Sequence, residues 1–170
     1  MADWNIPASS KSLEEILVDG GYYDIAGTWN SLIQKDGKLY RYRVETFVFD
    51  GDKVYFRKIS NSKNHGYEIP GGSTDKYLSN PQQAKAEIQE EALMNCKNIK
   101  YSGISYIRER QRPLNQQEGR IYWDGTYNEV YVADYDGKYT GEVDPRNLDD
   151  RFLKYGKSYP VEELLHILQE

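Results

Sequence analysis

The chain has 170 residues and a formal net charge of −5, and 38% of its residues are hydrophobic and 29% charged. This length fits one domain, and the composition is that of an ordinary globular protein rather than of a disordered or fibrous one. The acidic balance disfavours binding to nucleic-acid polymers, because proteins that bind them are normally basic.

The cysteine count and the distribution of apolar residues bear on the compartment. A single cysteine, Cys96, excludes an internal disulfide framework and suits a reducing environment. Residues 1–7 lack the basic start and the apolar run of a secretory signal. No apolar stretch approaches the roughly 20 residues that a membrane span needs. These features predict a cytoplasmic protein without a membrane partner.

The first third of the chain predicts a short helix followed by strands. Ser12–Glu15 has the pattern of a capping box at a helix start. Asp36-Gly37 is typical of a hairpin turn that leads into a strand over 39–49. A second turn at 50–52 links that strand to another over 54–59, both rich in Tyr, Val and Phe.

The remaining elements alternate between helix and strand. Asn80-Pro81 predicts the start of a helix, with Gln83 completing the cap, that runs to about Asn95. Strands are predicted over 99–108, 120–122 and 129–135. Pro160 begins a last helix, and four of its side chains have core spacing: Val161, Leu164, Leu165 and Leu168.

The order of elements indicates the fold class. A helix, several strands, a helix, several strands and a final helix predict an α/β protein with a mixed sheet between helices. We expect residues 38–170 to form this domain and residues 1–37 to be an N-terminal extension packed on the core.

Three carboxylates lie on one face of the predicted helix. Glu87, Glu90 and Glu91 are spaced i, i+3 and i+4, which places their Cβ atoms about 5–6 Å apart. Carboxylate oxygens favour hard cations such as Mg²⁺ or Mn²⁺. Taken alone, such a triplet is more typical of a solvated acidic face. Gly71 and Gly72 precede it, however, and successive glycines let backbone groups approach a ligand closely.

This segment resembles the Nudix box, Gly-x5-Glu-x7-Arg-Glu-U-x-Glu-Glu-x-Gly-U, where U is aliphatic. With its first Gly on Gly72, six of nine defined positions match: Gly72, Glu87, Ile88, Glu90, Glu91 and Met94. Leu78, Ala86 and Leu93 depart from the pattern. The Pro-Gly-Gly lead-in is also typical of the family. The resemblance covers about residues 40–170, and only the box is specific.

The resemblance implies a Nudix-type α/β/α sandwich and a metal-dependent hydrolase. It assigns metal binding to Glu87, Glu90 and Glu91, together with Gly71. In the family the first Glu of the box and its Arg are thought to form a brace, and here Leu78 and Ala86 replace both. An uncompensated charge is thereby avoided, and we expect the two side chains to meet in apolar surroundings. Leu93 for Gly predicts that the helix end shifts toward residue 95.

Other candidates rest on weaker patterns. Arg108 and Arg110 share a face of a strand, where they could meet phosphates or guard an exposed edge. Glu118, in a polar loop, could orient the attacking water. Glu129 and Asp134 could add ligands, although neither matches a motif position. Cys96 lacks an activating neighbour and is interpreted as structural.

The leading hypothesis is a hydrolase that uses Mg²⁺ or Mn²⁺ to cleave a nucleoside diphosphate linked to another moiety. The catalytic carboxylates would be Glu87, Glu91 and Glu118, with Gly71, Gly72, Arg108 and Arg110 binding the substrate. The alternative is a non-catalytic Nudix-fold module that binds a nucleotide or a protein. An enzyme similar to isopentenyl-diphosphate isomerase is disfavoured, because Cys96 lies beyond the box helix. Whether the chain forms a homodimer is left open.

Overall fold

The structure, a computed structural model, describes residues 20–23, 29–58, 66–74, 78–109, 123–139 and 156–169. The elements within these residues are β1 (Gly21–Tyr23), β2 (Trp29–Lys35), β3 (Lys38–Asp50), β4 (Lys53–Lys58), β5 (Tyr67–Glu68), β6 (Gly71–Ser73), α1 (Asn80–Ala92), β7 (Met94–Glu109), β8 (Gly125–Tyr139), β9 (Gly156–Pro160) and α2 (Val161–Leu168). The helix predicted from Ser12–Glu15 and the strand predicted over 120–122 lie outside the described residues.

The strands pair in the order β1-β2-β3-β4-β5, with β6 and β8 also on β3, β7 on β8 and β9 on β4. The ladders β1–β2, β2–β3, β3–β4, β4–β5 and β4–β9 are antiparallel. β3 and β8 run parallel, because Leu39 contacts Asp124 and, four residues later on both strands, Arg43 contacts Asn128. The predicted mixed sheet is therefore confirmed.

The hairpin turn between β2 and β3 forms where the sequence predicts it. Asp36 and Gly37 have φ values of 52° and 76°, so both occupy the left-handed region. Two such residues in succession match the twist of the flanking strands. Gln34 consequently pairs with Leu39, which fixes the register of the hairpin.

The chain forms two compact units. Unit 1 consists of Met1–Arg43, Ser73–Ser79 and Ser105–Glu129. Unit 2 consists of Val44–Gly72, Asn80–Ile104 and Val130–Glu170. The expected division into an extension, 1–37, and a domain, 38–170, stays a prediction.

Unit 2 has an α/β/α arrangement, which follows from the alternation of side chains along β4. Tyr55 belongs to the cluster that includes Ile88 of α1. Its neighbours Val54 and Phe56 pack with Leu164 of α2. Because successive side chains of a strand point to opposite faces, the two helices cover opposite faces of the sheet. The predicted α/β/α sandwich is confirmed.

The last helix begins as predicted but packs through fewer leucines. Pro160 caps α2, and Leu164 is buried. Leu165 and Leu168 are 50% and 53% exposed, so the prediction that they pack in the core is wrong. Val161 packs beside Leu164 as predicted, and Ile167, which was not predicted, packs there as well. Over eight residues, the described part of α2 offers the sheet a stripe too narrow for all four predicted positions.

Neither helix in the described part of the chain combines the length and the apolar character that crossing a membrane requires.

Candidate functional site

The two glycines that precede the carboxylate helix, Gly71 and Gly72, lie in a strand, β6. β6 pairs with β3, and the Thr46 amide donates to the Pro70 carbonyl at 2.9 Å. Neither Gly71 nor Gly72 has a positive φ. A Cβ at Gly71 would lie 2.6 Å from the Val44 carbonyl oxygen. Gly71 is therefore required by the close approach of the strands rather than by an unusual backbone conformation.

Gly72 leaves the space that the Glu87 carboxylate occupies. A Cβ built on Gly72 would overlap both carboxylate oxygens of Glu87. This carboxylate also accepts a hydrogen bond from Gln83 Nε2 at 2.9 Å, one helical turn earlier. Gln83 is buried, so its amide has a defined orientation. Gln83 thus makes an orienting contact inside α1, and the capping role predicted for it stays a prediction.

Glu91 lies over the other glycine. Its Oε2 accepts a hydrogen bond from the Gly71 amide at 3.2 Å. Because Glu87 and Glu91 are four residues apart on α1, both carboxylates project from one side of the helix toward β6. The structure thus brings together Gly71, Gly72, Glu87 and Glu91. Glu90, on the same helix, is partly buried.

An ion pair anchors the strand that leads to the glycines. Arg57 of β4 and Glu68 of β5 are direct cross-strand neighbours, and Arg57 Nη2 donates to Glu68 Oε2. Both side chains are largely buried, which makes such a pair costly to break. Sequence reasoning missed this contact. Its only local signal was a charged residue, Glu68, in an otherwise apolar lead-in.

The donor set suits a cation that is shared with a substrate. Among the described residues, no three carboxylate, imidazole or thiolate groups form a closed metal cage. Mg²⁺, however, is commonly held by only one or two protein carboxylates, with water and substrate phosphates completing its shell. Glu87 and Glu91 beside the backbone of Gly71 fit that pattern.

No family model matches the chain, and no curated protein does. Among solved structures, a mutator MutT protein from Bacillus halodurans is similar, with a TM-score of 0.50 and 19% identity, over 74% of this chain and 72% of that one. The chain has the Nudix fold. A NUDIX hydrolase from Nitrosomonas europaea has a TM-score of 0.49 and 15% identity, over 76% of this chain and 78% of that one. The pyrophosphohydrolase BsRppH from Bacillus subtilis has a TM-score of 0.41 and 21% identity, over 73% of this chain and 70% of that one.

The end of the Nudix box helix differs from the prediction. α1 ends at Ala92, and Leu93 has a φ of 57°, so the helix does not extend toward Asn95. Leu93 stands where the Nudix box has its second Gly and adopts the left-handed conformation that favours glycine. The backbone at this position is therefore one that glycine would adopt without strain, although the residue is leucine.

The altered brace of the Nudix box is also different from the prediction. Leu78 is 39% exposed, which contradicts the expectation of apolar surroundings. Ala86 is partly buried on α1. An exposed loop position can lose its charge at little cost, and this explains why Leu is accepted there without a buried partner.

The remaining candidates are on other strands or outside the described residues. Arg108 is exposed on β7, and Glu118 and Arg110 are outside. Asp134 is exposed and accepts a hydrogen bond from Asn98. Burial raises the pKa of Glu129 above its ordinary value. Burial also raises the pKa of Cys96 to about 12, which keeps the thiol protonated at neutral pH and supports its structural interpretation.

Proposed function

We propose that the protein is a metal-dependent hydrolase that cleaves a nucleoside diphosphate linked to another moiety. The observation that carries this proposal is the convergence of Glu87 and Glu91 on Gly71 and Gly72, through the Gly71 hydrogen bond and the space left at Gly72. A solvated acidic face would not need to meet two backbone positions of a neighbouring strand.

The cation would be Mg²⁺ or Mn²⁺, held by Glu87 and Glu91 with the backbone of Gly71. Glu90 is on the same helix, but among the described residues it does not complete a group of three metal-binding side chains. When bound, it would supply positive charge to the diphosphate oxygens. Gln83 fixes the Glu87 carboxylate, and the Gly71 amide fixes Glu91, so both ligands are oriented before a substrate arrives.

Proton transfer requires a carboxylate that can accept a proton from the attacking water. We assign this role to Glu118 or to a member of the cluster, Glu87 or Glu91. The substrate would be a small nucleotide rather than a nucleic-acid polymer. Arg108 and Arg110, on the segment after the box, would contact its phosphates.

A second candidate function is a non-catalytic module that binds a nucleotide or a protein. It is favoured by the three departures from the Nudix box, at Leu78, Ala86 and Leu93. Of these, Leu93 keeps the left-handed backbone that favours glycine, the residue that the Nudix box has at this position. Because the backbone at Leu93 is of the kind that favours glycine, the departure at this position is a weak argument that the Nudix box has lost its function. The hydrolase is therefore the better proposal.

The experiment is a screen of nucleotide-sugar, dinucleotide, ADP-ribose and oxidised dNTP substrates with Mg²⁺ or Mn²⁺. We expect cleavage of at least one class, and we expect a chelator to abolish it. Release of product should be followed by separation of the nucleotides rather than by free phosphate alone. Binding of a nucleotide without cleavage under every metal condition would select the non-catalytic module.

A further inference from the structure

Thr46 of β3 carries a buried hydroxyl that the packing of the protein leaves unpaired. The residue is 1% exposed, and within the described part of the chain its Oγ1 atom has no hydrogen-bond partner. Polar atoms buried in this way are nearly always paired, because an unpaired one costs free energy. A hydroxyl at such a position therefore requires an explanation other than stability.

The strand itself does not require a hydroxyl at this position. Val44 and Val48, two residues before and after Thr46 on β3, are completely buried valines. Valine has the shape of threonine without the polar atom, and both residues suit a strand because both are branched at Cβ. A third valine would satisfy the packing, so the hydroxyl is what distinguishes position 46.

The Thr46 side chain points toward the helix that carries the carboxylates. Val44 packs in a cluster with Ala84 of α1, and Val48 packs in a cluster with Ile88 of the same helix. Side chains two residues apart on a strand share a face. Thr46 lies between the two valines on that face, so α1 covers its hydroxyl.

The pairing of β3 with β6 brings Thr46 close to the second glycine of the site. The Thr46 amide donates to the Pro70 carbonyl at 2.9 Å, and a Cβ at Gly71 would lie 2.9 Å from the Cβ of Glu45. This antiparallel register makes Gly72, two residues beyond Pro70, the diagonal neighbour of Thr46 on the same face. The Cα atoms of diagonal neighbours are about 7–8 Å apart, within reach of longer side chains.

The Glu87 carboxylate occupies the space over that neighbour, Gly72. Gln83 donates to it from within α1, and Thr46 approaches it from the sheet. One water molecule can join a hydroxyl to a carboxylate across such a gap, and a buried water needs at least two polar partners. Thr46 and Glu87 supply them. All four residues belong to unit 2.

From this arrangement we infer that Thr46 is a positioning residue of the carboxylate site. Its hydroxyl holds the Glu87 carboxylate, through one bridging water molecule, in the orientation that binds a divalent cation. This role rests on the proposed function, because it presumes a cation at Glu87 and Glu91. It extends the site to a strand that the Nudix box does not include.

The test compares Mn²⁺ affinity, followed by electron paramagnetic resonance, with the Tm measured in the presence of a chelator. Thr46→Val removes the hydroxyl and keeps the volume. We expect Mn²⁺ binding to weaken about tenfold or more, as it does when other residues that orient metal ligands are changed. We expect a Tm no lower than that of the wild type, because no hydrogen bond within the protein is lost. A purely structural threonine would leave the Mn²⁺ affinity unchanged.

The matched control is Thr126→Val. Thr126 is 4% exposed, and its Oγ1 accepts a hydrogen bond from Asn128 Nδ2 at 2.9 Å. The same substitution at this position should lower the Tm, because it breaks that bond, and should leave the Mn²⁺ affinity unchanged.

A second pair of variants separates the hydroxyl from the methyl group. Thr46→Ser and Thr46→Ala both remove the methyl group, and only the alanine variant also lacks the hydroxyl. We expect the serine variant to bind Mn²⁺ as the wild type does and the alanine variant to bind as weakly as Thr46→Val.

Mn²⁺ binding by Thr46→Val that is as tight as in the wild type would overturn the role of Thr46 and leave the proposed cation site standing. If Thr46→Val fails to fold, equal Mn²⁺ affinities of the serine and alanine variants would overturn that role instead. The absence of saturable Mn²⁺ binding by the wild type would overturn the cation site itself, and the role of Thr46 with it.

Discussion

Gly72 and Leu93 both stand where the Nudix box has a glycine, and the structure requires something different at each position. At Gly72 the structure needs the space that a side chain would fill, because Glu87 occupies it. At Leu93 the structure needs only a left-handed backbone, with a φ of 57°. A side chain at position 72 would have to displace the Glu87 carboxylate, whereas a requirement for conformation can be met by leucine at a cost of roughly 1–2 kcal/mol. This difference explains why glycine is kept at position 72 and why leucine can replace it at position 93.

The largest expected effect falls on the carboxylates that the glycines accommodate. Glu91→Gln and Glu87→Gln should each lower metal-dependent cleavage about 100-fold or more, because charge stabilisation by a bound cation is worth several kcal/mol. Steady-state rates with the substrate found in the screen measure this. Glu162→Gln, on the exposed side of α2, is the control. Equal rates in all four proteins would show that the carboxylates do not hold the cation.

A substitution at Gly72, where the Glu87 carboxylate fills the available space, should lower the rate of cleavage nearly as much. Gly72→Ala forces the Glu87 carboxylate to move, and a displacement of about 1 Å in a site can cost about 100-fold in rate. The same change should lower the free energy of unfolding by only about 1 kcal/mol, because the clash is with the end of the flexible Glu87 side chain, which can shift.

A double-mutant cycle isolates the cause of that loss. In a Glu87→Ala background the carboxylate is gone, so Gly72→Ala should destabilise the protein much less. Denaturant unfolding of the four proteins provides the measurement. Additive effects would mean that the space at Gly72 serves something other than Glu87.

The contact that orients Glu87 should have a smaller effect on catalysis. Gln83→Met removes the hydrogen bond while keeping an unbranched buried side chain, and we expect kcat to fall about tenfold, since a hydrogen bond to a charged group contributes about 1.5 kcal/mol or more. The free energy of unfolding should change little. Gln82→Met, at the exposed neighbouring position, is the control. Unchanged kcat for Gln83→Met would remove Gln83 from the site.

The smallest effect is expected at Leu93, where the structure requires a left-handed backbone. Leu93→Gly relieves the left-handed strain, whereas Leu93→Ala removes the same partly buried side chain without relieving it. We expect the glycine variant to be more stable than the alanine variant by about 1 kcal/mol. Thermal unfolding at constant pH measures the difference. A glycine variant less stable than the alanine variant would show that the backbone at residue 93 is unstrained.

The sequence predicted those parts of the molecule whose signals are local. Asn80-Pro81 marks the start of α1, Asp36-Gly37 marks the hairpin, and the spacing of Glu87 and Glu91 places both on one helix face. Each depends on the conformational preference of neighbouring residues alone.

The parts that sequence reasoning missed depend on contacts between distant residues. Whether Leu165 and Leu168 pack against the sheet depends on the rotation of α2 about its own axis. An apolar stripe over eight residues does not determine that rotation. The Arg57–Glu68 pair requires knowledge of strand register. The helix end at Leu93 was mispredicted because intrinsic preference disfavours a left-handed leucine, and the surrounding structure overrides that preference.

The central claim is that Glu87 and Glu91, beside Gly71 and Gly72, hold a divalent cation, and Mn²⁺ binding followed by electron paramagnetic resonance tests it most directly. The measurement needs neither a known substrate nor turnover. We predict saturable Mn²⁺ binding by the wild type and by Glu162→Gln, and binding at least about tenfold weaker in Glu87→Gln and Glu91→Gln. Mn²⁺ affinity that is the same in all four proteins would contradict the account.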